Sequence, residues 1–269
     1  MSYPDRAERI SHLRQAVARI ENGPRHERAA PLPLTRALDA RLGGGLSGDG
    51  LHEIAPAAPA DAPAAFGFAL SLAARFLARS AAAALLAVED FAATQEGRPF
   101  GPGFVAHGID LSRIVFVRAP DAAALFQTLE DALRSGGLAV AVGEVWRLAK
   151  YDLAVSRRLA LAARAGGTPL LLTLPTGHDA RLSSAAQTRF RIAAAPSVQT
   201  AASGRPTPGE AAVSARLVKA RGGGDDESRA FRLVWRSDEV KFDEPAISVP
   251  LAAEAGDRSR QKSASDRYA

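Results

Sequence analysis

The stretch Leu38–Leu77, LDARLGGGLSGDGLHEIAPAAPADAPAAFGFALSLAARFL, constrains the chain most, because it has the frame of a phosphate-binding loop without the atoms that bind phosphate. Leu51–Ile54 reads as a short apolar strand and Ala55–Pro63 as a linker. Ala64–Leu77 reads as a helix whose Phe66, Leu70, Ala73 and Phe76/Leu77 recur at helical spacing. A working loop of this kind reads GxxxxGK[ST]: glycines let backbone N–H groups wrap the phosphates, a lysine reaches the outer ones, and a hydroxyl holds magnesium. Here the linker has no glycine, lysine, serine or threonine, and Pro56, Pro59 and Pro63 each remove an N–H donor. No lysine precedes Lys150, so none can be slid into register, and Asp61 would repel a triphosphate.

The surrounding pattern is that of alternating strands and helices. Gly43-Gly44-Gly45 predicts a turn that tolerates positive φ, and Gly48 and Gly50 frame the entry to the first strand, so the core starts near Leu34. Ala84–Val88 is a continuous apolar run of the kind buried on both faces of a parallel sheet. Glu89 and Asp90 follow at its carboxyl end, where open α/β sheets place ligands; with no triphosphate to act on, Glu89 reads as a solvated strand-terminal acid. Ile114–Val117 reads as another buried strand, and Asp121 opens a helix carrying Ala122, Leu125, Phe126, Leu129 and Leu133 on one face. Leu138–Val142 is the next strand, followed by Gly143 and Glu144. A basic helix over Asp152–Ala163 ends at Gly166-Gly167, and Leu170–Leu174 is buried again. This alternation predicts an α/β fold with a mostly parallel central sheet flanked by helices. Thr188–Ala194, Val213–Ala220 and Ala230–Arg236 alternate in polarity and predict an antiparallel C-terminal extension, with GGGDDES as a hairpin loop. Arg216, Lys219, Arg221, Arg229, Arg232 and Arg236 give this hairpin a basic edge, read first as protection of an edge strand by charge and second as a phosphate or partner contact.

These segments resemble the RecA family and, within it, most closely the ImuA family of SOS-inducible mutagenesis proteins. LDARLGGGLSGDGLHEI is similar to the glycine turn and first core strand of RecA, and Ala84–Val145 to the strands and helices that follow. Ser156–Gly177, Thr188–Ser197 and Val213–Gly224 are similar to the closing part of an ImuA chain. The resemblance spans most of residues 34–245 and implies a RecA-like core. It places Glu89 at the family's water-activating glutamate and Gly143 at the magnesium-associated aspartate, with Glu144 one residue later. A shift of one residue turns a strand side chain to the other face, so Glu144 could substitute only on a bulged strand. Pro175–Gln187 stands where RecA carries a DNA-contacting loop, but supplies Arg181 and His178 and no aromatic to stack on a base.

What the resemblance implies is a non-catalytic accessory factor of an SOS-induced mutasome, acting in translesion synthesis by binding proteins. The implied partners are an ImuB-like Y-family polymerase homologue and an error-prone replicative-type DNA polymerase catalytic subunit. Contact with RecA and with DNA is left open, with Arg181, Arg216, Lys219 and Arg221 as candidate DNA or partner contacts. Two alternatives stand beside it: a DNA-stimulated ATPase with an atypical phosphate loop, and a SulA-like inhibitor of cell division, a RecA-related type that is markedly shorter.

Three regions follow: an N-terminal helix and linker over 1–33, the core over 34–250 with its degenerate phosphate loop, and a basic tail over 251–269 that lacks apolar residues and is expected to be disordered. The first carries Ile10, Leu13, Val17 and Ile20 as one apolar stripe, either packed on its own domain or, by analogy with RecA proteins, a partner-docking arm. The absence of cysteine excludes disulfides, iron–sulfur clusters and thiolate zinc sites. The five histidines lack ligand spacing, and the first residues lack the apolar core of a signal peptide, so a cytoplasmic protein without metal or cofactor is expected. The net charge of +5 permits a nucleic-acid or acidic partner without requiring one.

Overall fold

Strand β1 (Leu51–Pro56) is buried along its whole length and lies between β5 (Leu170–Thr173) and β6 (Thr188–Ala194), parallel to both. From this centre a nine-stranded sheet extends in the order β3-β2-β4-β5-β1-β6-β7-β8-β9. This is a computed structural model, and it describes residues 29–95, 97, 99–175, 183–197, 209–222 and 226–244. The N-terminal stripe Ile10, Leu13, Val17 and Ile20, the tail and Arg181 lie outside the described residues. Strands β2 (Ala83–Glu89), β3 (Ile114–Ala119) and β4 (Leu138–Glu144) are parallel, whereas β7 (Ala212–Ala220), β8 (Asp226–Arg236) and β9 (Lys241–Asp243) continue from β6 antiparallel. The expected α/β class, mostly parallel with an antiparallel C-terminal part, is borne out.

Helices cover both faces. α1 (Arg36–Leu42) is a short turn opened by Thr35 and closed by Gly43 at φ 69°. α2 (Ala62–Ala78) crosses one face over β4, β5, β1 and β6. Its burial exceeds the single stripe expected from the sequence, because Phe68 is sandwiched between Phe190 and Phe242 at ring distances of 5.5 and 5.4 Å. A helix apolar all round belongs inside a core. The segment Pro59–Ala78 is long and apolar enough to span a membrane, yet most of it is packed inside this domain. Two short helices, α3 (Asp90–Gln95) and α4 (Gly101–Ala106), precede β3. α5 (Ala122–Arg134) and α6 (Leu153–Gly166) pack side by side on the opposite face. The Asp121 and Asp152 side chains cap α5 and α6, accepting the N–H groups of Ala124 and Val155 at 2.9 and 2.8 Å.

Two readings change. β3 is an edge strand, not a buried one: Val115 and Phe116 are 49% and 44% exposed, because one flank has no neighbour. Conversely, β7 is an interior strand, so Arg216 and Lys219 lie on the sheet rather than on its edge, whereas β9 covers β8 only at Val234, Trp235 and Arg236 and leaves Arg232 along its uncovered flank among the described residues.

The centre of the sheet holds polar side chains. Glu53 on β1 and Arg189 on β6 are register partners, almost wholly buried, joined Nε to Oε2 at 2.6 Å. Tyr151 donates its hydroxyl to Glu53 Oε1 at 2.5 Å, and Arg189 Nη2 donates to Ser184 Oγ at 3.1 Å. Burial and the Glu53 charge hold the Tyr151 phenol well above its ordinary range, keeping it a donor. Removing one member of such a buried pair costs about 3–5 kcal/mol. The neighbouring His52 is fully buried on the other face; Nε2 donates to the Ser47 carbonyl at 2.9 Å and Nδ1 accepts from Thr188 Oγ1 at 2.8 Å.

Burial lowers the His52 pKa from 6.5 to about 4. Above pH 6.5 the ring is neutral in both folded and unfolded chains; below it the unfolded chain takes the proton first. Stability should therefore fall between pH 6.5 and about 4, by up to about 3 kcal/mol from this group. Urea unfolding at pH 7, 6 and 5 should show that fall in the natural chain and a flatter profile in His52→Gln. Parallel profiles would assign the acid sensitivity elsewhere.

Candidate functional site: a crevice at the carboxyl ends of the parallel strands

Open α/β sheets bind ligands outside the carboxyl ends of their strands. At that position, over β1, β4 and β5, lies a cavity of about 540 Å3, within the range of small-ligand pockets. Pro56, Pro59, Phe66, Glu144, Trp146 and Leu174 are among its lining residues. The segment that would carry a phosphate loop is ordered by its own bonds. Ala57 N–H donates to the Ile192 carbonyl at 2.7 Å, Ala58 N–H to Asp61 Oδ2 at 3.1 Å, and Asp61 N–H to the Ala58 carbonyl at 2.9 Å. Pro56, Pro59 and Pro63 have no N–H to offer. Asp61 Oδ1 also accepts the Ala194 N–H at 2.8 Å, pinning the segment to β6. What the sequence reads as a linker is thus the last turn of β1 followed by a 3-10 turn, Pro59–Asp61, leading into α2.

The carboxylates lie close by. Glu89 is buried, not solvated as expected, and its Oε2 accepts the Trp146 N–H at 3.1 Å, tying the end of β2 to the segment after β4. Glu144 lines the crevice. Strand β4 carries an irregularity only at its start, with Ala83 opposite Leu138 but Ala84 opposite Val140, and pairs regularly with β2 from Val140 to Glu144, so the bulge that would turn Glu144 into the place of Gly143 is not at that end of the strand. Gly143 points the other way: a Cβ there would meet Leu129 Cδ1 at 2.7 Å and Leu172 Cδ1 at 2.9 Å, under α5. The mouth is aromatic, with Phe91 and Trp146 at 5.5 Å between ring centroids and the Arg147 guanidinium 4.8 Å above Phe91. Arg147 is the cation among the lining residues. Among the described residues no three His, Asp or Glu side chains converge to hold an ion.

The chain is 35% identical over 176 residues to Protein ImuA from two strains of Caulobacter vibrioides, an alignment covering 58% of this chain and 64% of theirs. This similarity supports an ImuA-family assignment. The chain spans less than two thirds of the length of these curated relatives. No family model matches.

The described candidate contacts lie on one strand and the turn that follows it. Arg216 is exposed on β7, and Lys219, on the same strand, donates Nζ to the Ser184 carbonyl at 2.7 Å. Arg221 sits in the turn beyond, its backbone N–H bonded to the Gln187 carbonyl at 2.8 Å. The sequence reading passed over Glu53, Tyr151, Arg189, Phe91 and Trp146. A charged residue inside the apolar run LHEI is the one local sign of a buried network; its partner lies 136 residues away.

Gly143→Asp, which restores the residue type of the RecA pattern, should not create a magnesium site. Its carboxylate would enter the Leu129–Leu172 contact, lowering stability by several kcal/mol, on the order of 3, with no gain in Mg-dependent nucleotide binding by calorimetry. A stable variant that binds Mg-nucleotide would reverse this assignment of faces.

Proposed function

We propose that this chain is a non-catalytic accessory protein of an SOS-induced translesion-synthesis complex, acting in DNA damage tolerance and mutagenesis by binding protein partners in the cytoplasm. The observation that carries the reading is the crevice. Three positions of its loop are proline, the Ala57, Ala58 and Asp61 donors are already bonded to the protein, and the Glu144 carboxylate lines it beside Arg147, so a triphosphate would lack the glycine-rich backbone cradle and the lysine it needs. The resemblance to the RecA family and the similarity to the Caulobacter ImuA proteins support the setting. An ImuB-like Y-family polymerase homologue and an error-prone replicative-type catalytic subunit are the proposed partners, with RecA and DNA as further contacts.

A protein-binding role also has a surface to use. Phe100, Val105, Leu111, Val115 and Phe116 are all exposed within one short stretch that ends in the unpaired edge of β3. Phe104 and Ile109 of the same stretch insert into the core beneath α2, which holds the stretch against the domain. Exposed apolar side chains beside unpaired strand groups suit a protein interface, where aromatic anchors carry most of the energy.

Titration of the purified chain with ATP and magnesium, with and without single-stranded DNA, should show neither saturable binding nor phosphate release at millimolar nucleotide. Turnover abolished by Glu89→Gln would make the chain an ATPase instead. Phe116→Glu should weaken capture of an ImuB-like partner by tenfold or more, about 1.4 kcal/mol, without shifting the melting temperature. Unchanged capture would move the interface away from β3.

A further inference from the structure

β3 ends the sheet without the devices that keep a strand edge solitary. Natural edges are guarded by lysines, prolines, inward charges or bulges, because unpaired N–H and C=O groups template another strand. The outer flank of β3 has no neighbour among the described residues, and the strand pairs with β2 over all six positions without a bulge. Ile114–Ala119 holds no proline, glycine, lysine or acid, and its one charge, Arg118, is drawn to Asp90 at 2.8 Å. Arg113, just before the strand, turns inward and donates to the carbonyls of Leu77 and Ala82 at 3.2 and 2.6 Å. The edge is also apolar on both faces. Phe116, opposite Leu86, stands on the face of α2 and α4; Val115, opposite Leu85, stands on the face of α5.

A strand that pairs here must therefore be apolar on both sides. β2, β4 and β5 are runs of that kind, but each already has a neighbour on both flanks. Among the described strands β3 alone combines two apolar faces with a free side. We propose that a second copy of this chain covers the edge, β3 pairing antiparallel with β3 about a two-fold axis normal to the sheet. Each face then meets the same face of the other copy, so Phe116 and Val115 find the chemistry they present. Antiparallel pairing also sets the two Arg118 side chains at opposite ends of the joint, each beside Asp90 of its own chain. Such an interface is self-complementary and closed, so association stops at two. The exposed side chains of Phe100, Val105, Leu111, Val115 and Phe116 in both copies offer on the order of 1,000 Å2 of apolar surface. That is about the least a specific interface buries, so the dimer is a weak one that forms and dissociates. Self-pairing uses the edge also proposed for a protein partner but does not rest on that reading; the two occupants exclude each other.

Sedimentation velocity of the full chain from about 1 to about 100 μM should show a monomer that passes into a dimer. The chain has no cysteine, so Val115→Cys carries a single thiol. A short bis-maleimide should join it into a covalent dimer, whereas Leu161→Cys, more exposed but on α6, should stay monomeric. Val115→Lys should weaken the dimer by about tenfold or more without lowering the melting temperature. Where Val115→Lys does not fold, the folded Val115→Cys protein alkylated with iodoacetate places a charge there instead. A monomer throughout the range, an equal yield from Leu161→Cys, or a dimer as tight in the charged variants would overturn the proposal. A dimer that is lost in Leu13→Asp and gives no Val115→Cys crosslink would overturn it in favour of the N-terminal stripe as the segment on the edge. No partner protein enters the experiment, so its failure leaves the partner reading standing, and unchanged partner capture by Phe116→Glu leaves the dimer standing.

Discussion

The Glu53–Arg189 pair is the joint on which the architecture depends. β1 belongs to the parallel half of the sheet, β6 begins the turn to the antiparallel half, and the two residues face each other in register. Tyr151 brings the connection between β4 and α6 to the same carboxylate, and Ser184 brings the segment that enters β6. Four chain segments therefore meet at two opposite charges. Their burial carries a desolvation penalty that only good geometry and further hydrogen bonds offset. The contacts supply both: each Glu53 oxygen has a donor within 2.6 Å, and Arg189 has a second acceptor. A one-residue slip of β6 against β1 would turn Arg189 into the aromatic core around Phe68, so the pair fixes register as well as holding strands together.

The same constraint explains how the loop after β1 is ordered without a phosphate ligand. In a nucleotide-binding loop the backbone donors must stay free for the ligand, and something else must hold the loop. Here Asp61 satisfies both Ala58 and Ala194, and Ala57 extends the ladder to Ile192. The loop is tied to β6 by its own bonds, and the register of β6 is set by Arg189. Proline at positions 56, 59 and 63 is compatible with that arrangement, because the missing donors are not needed and the fixed φ lowers the entropy of the unfolded chain. The losses that remove nucleotide chemistry thus coincide with bonds that make a ligand unnecessary for order.

Much of this was legible in the sequence where the pattern was long and local. The boundaries of β6 match those read from alternation, and the five apolar residues assigned to the face of α5 are all buried, because both rest on spacing within a single element. The loss of phosphate ligands was legible for the same reason: absent residue types need no partner to be noticed. The helices α1, α3 and α4, six or seven residues each, show too little periodicity to stand out, and β9 has three residues. The errors on β3 and on β7 have one cause. Alternation and hydrophobicity say how a strand presents its faces, not which strands flank it, so edge and interior were exchanged. Burial of Glu89 and the Glu53 network depend on residues 57 and 136 positions away, which spacing cannot reveal.

Once the strand order is known, the surface chemistry acquires a direction. Exposed apolar side chains gather at the β3 end of the sheet and arginines at the β6–β8 end, with the emptied crevice between them. β2, β4, β5 and β1 separate β3 from β6, so at 4.7–4.9 Å per strand interval the two chemistries sit about 24 Å apart. A single small ligand cannot bridge that distance. The rigidity of the central strands then sets the spacing between them. The central strands β2, β4, β5 and β1 thus hold the exposed apolar edge of β3 at a fixed distance from the charged strands beyond β6.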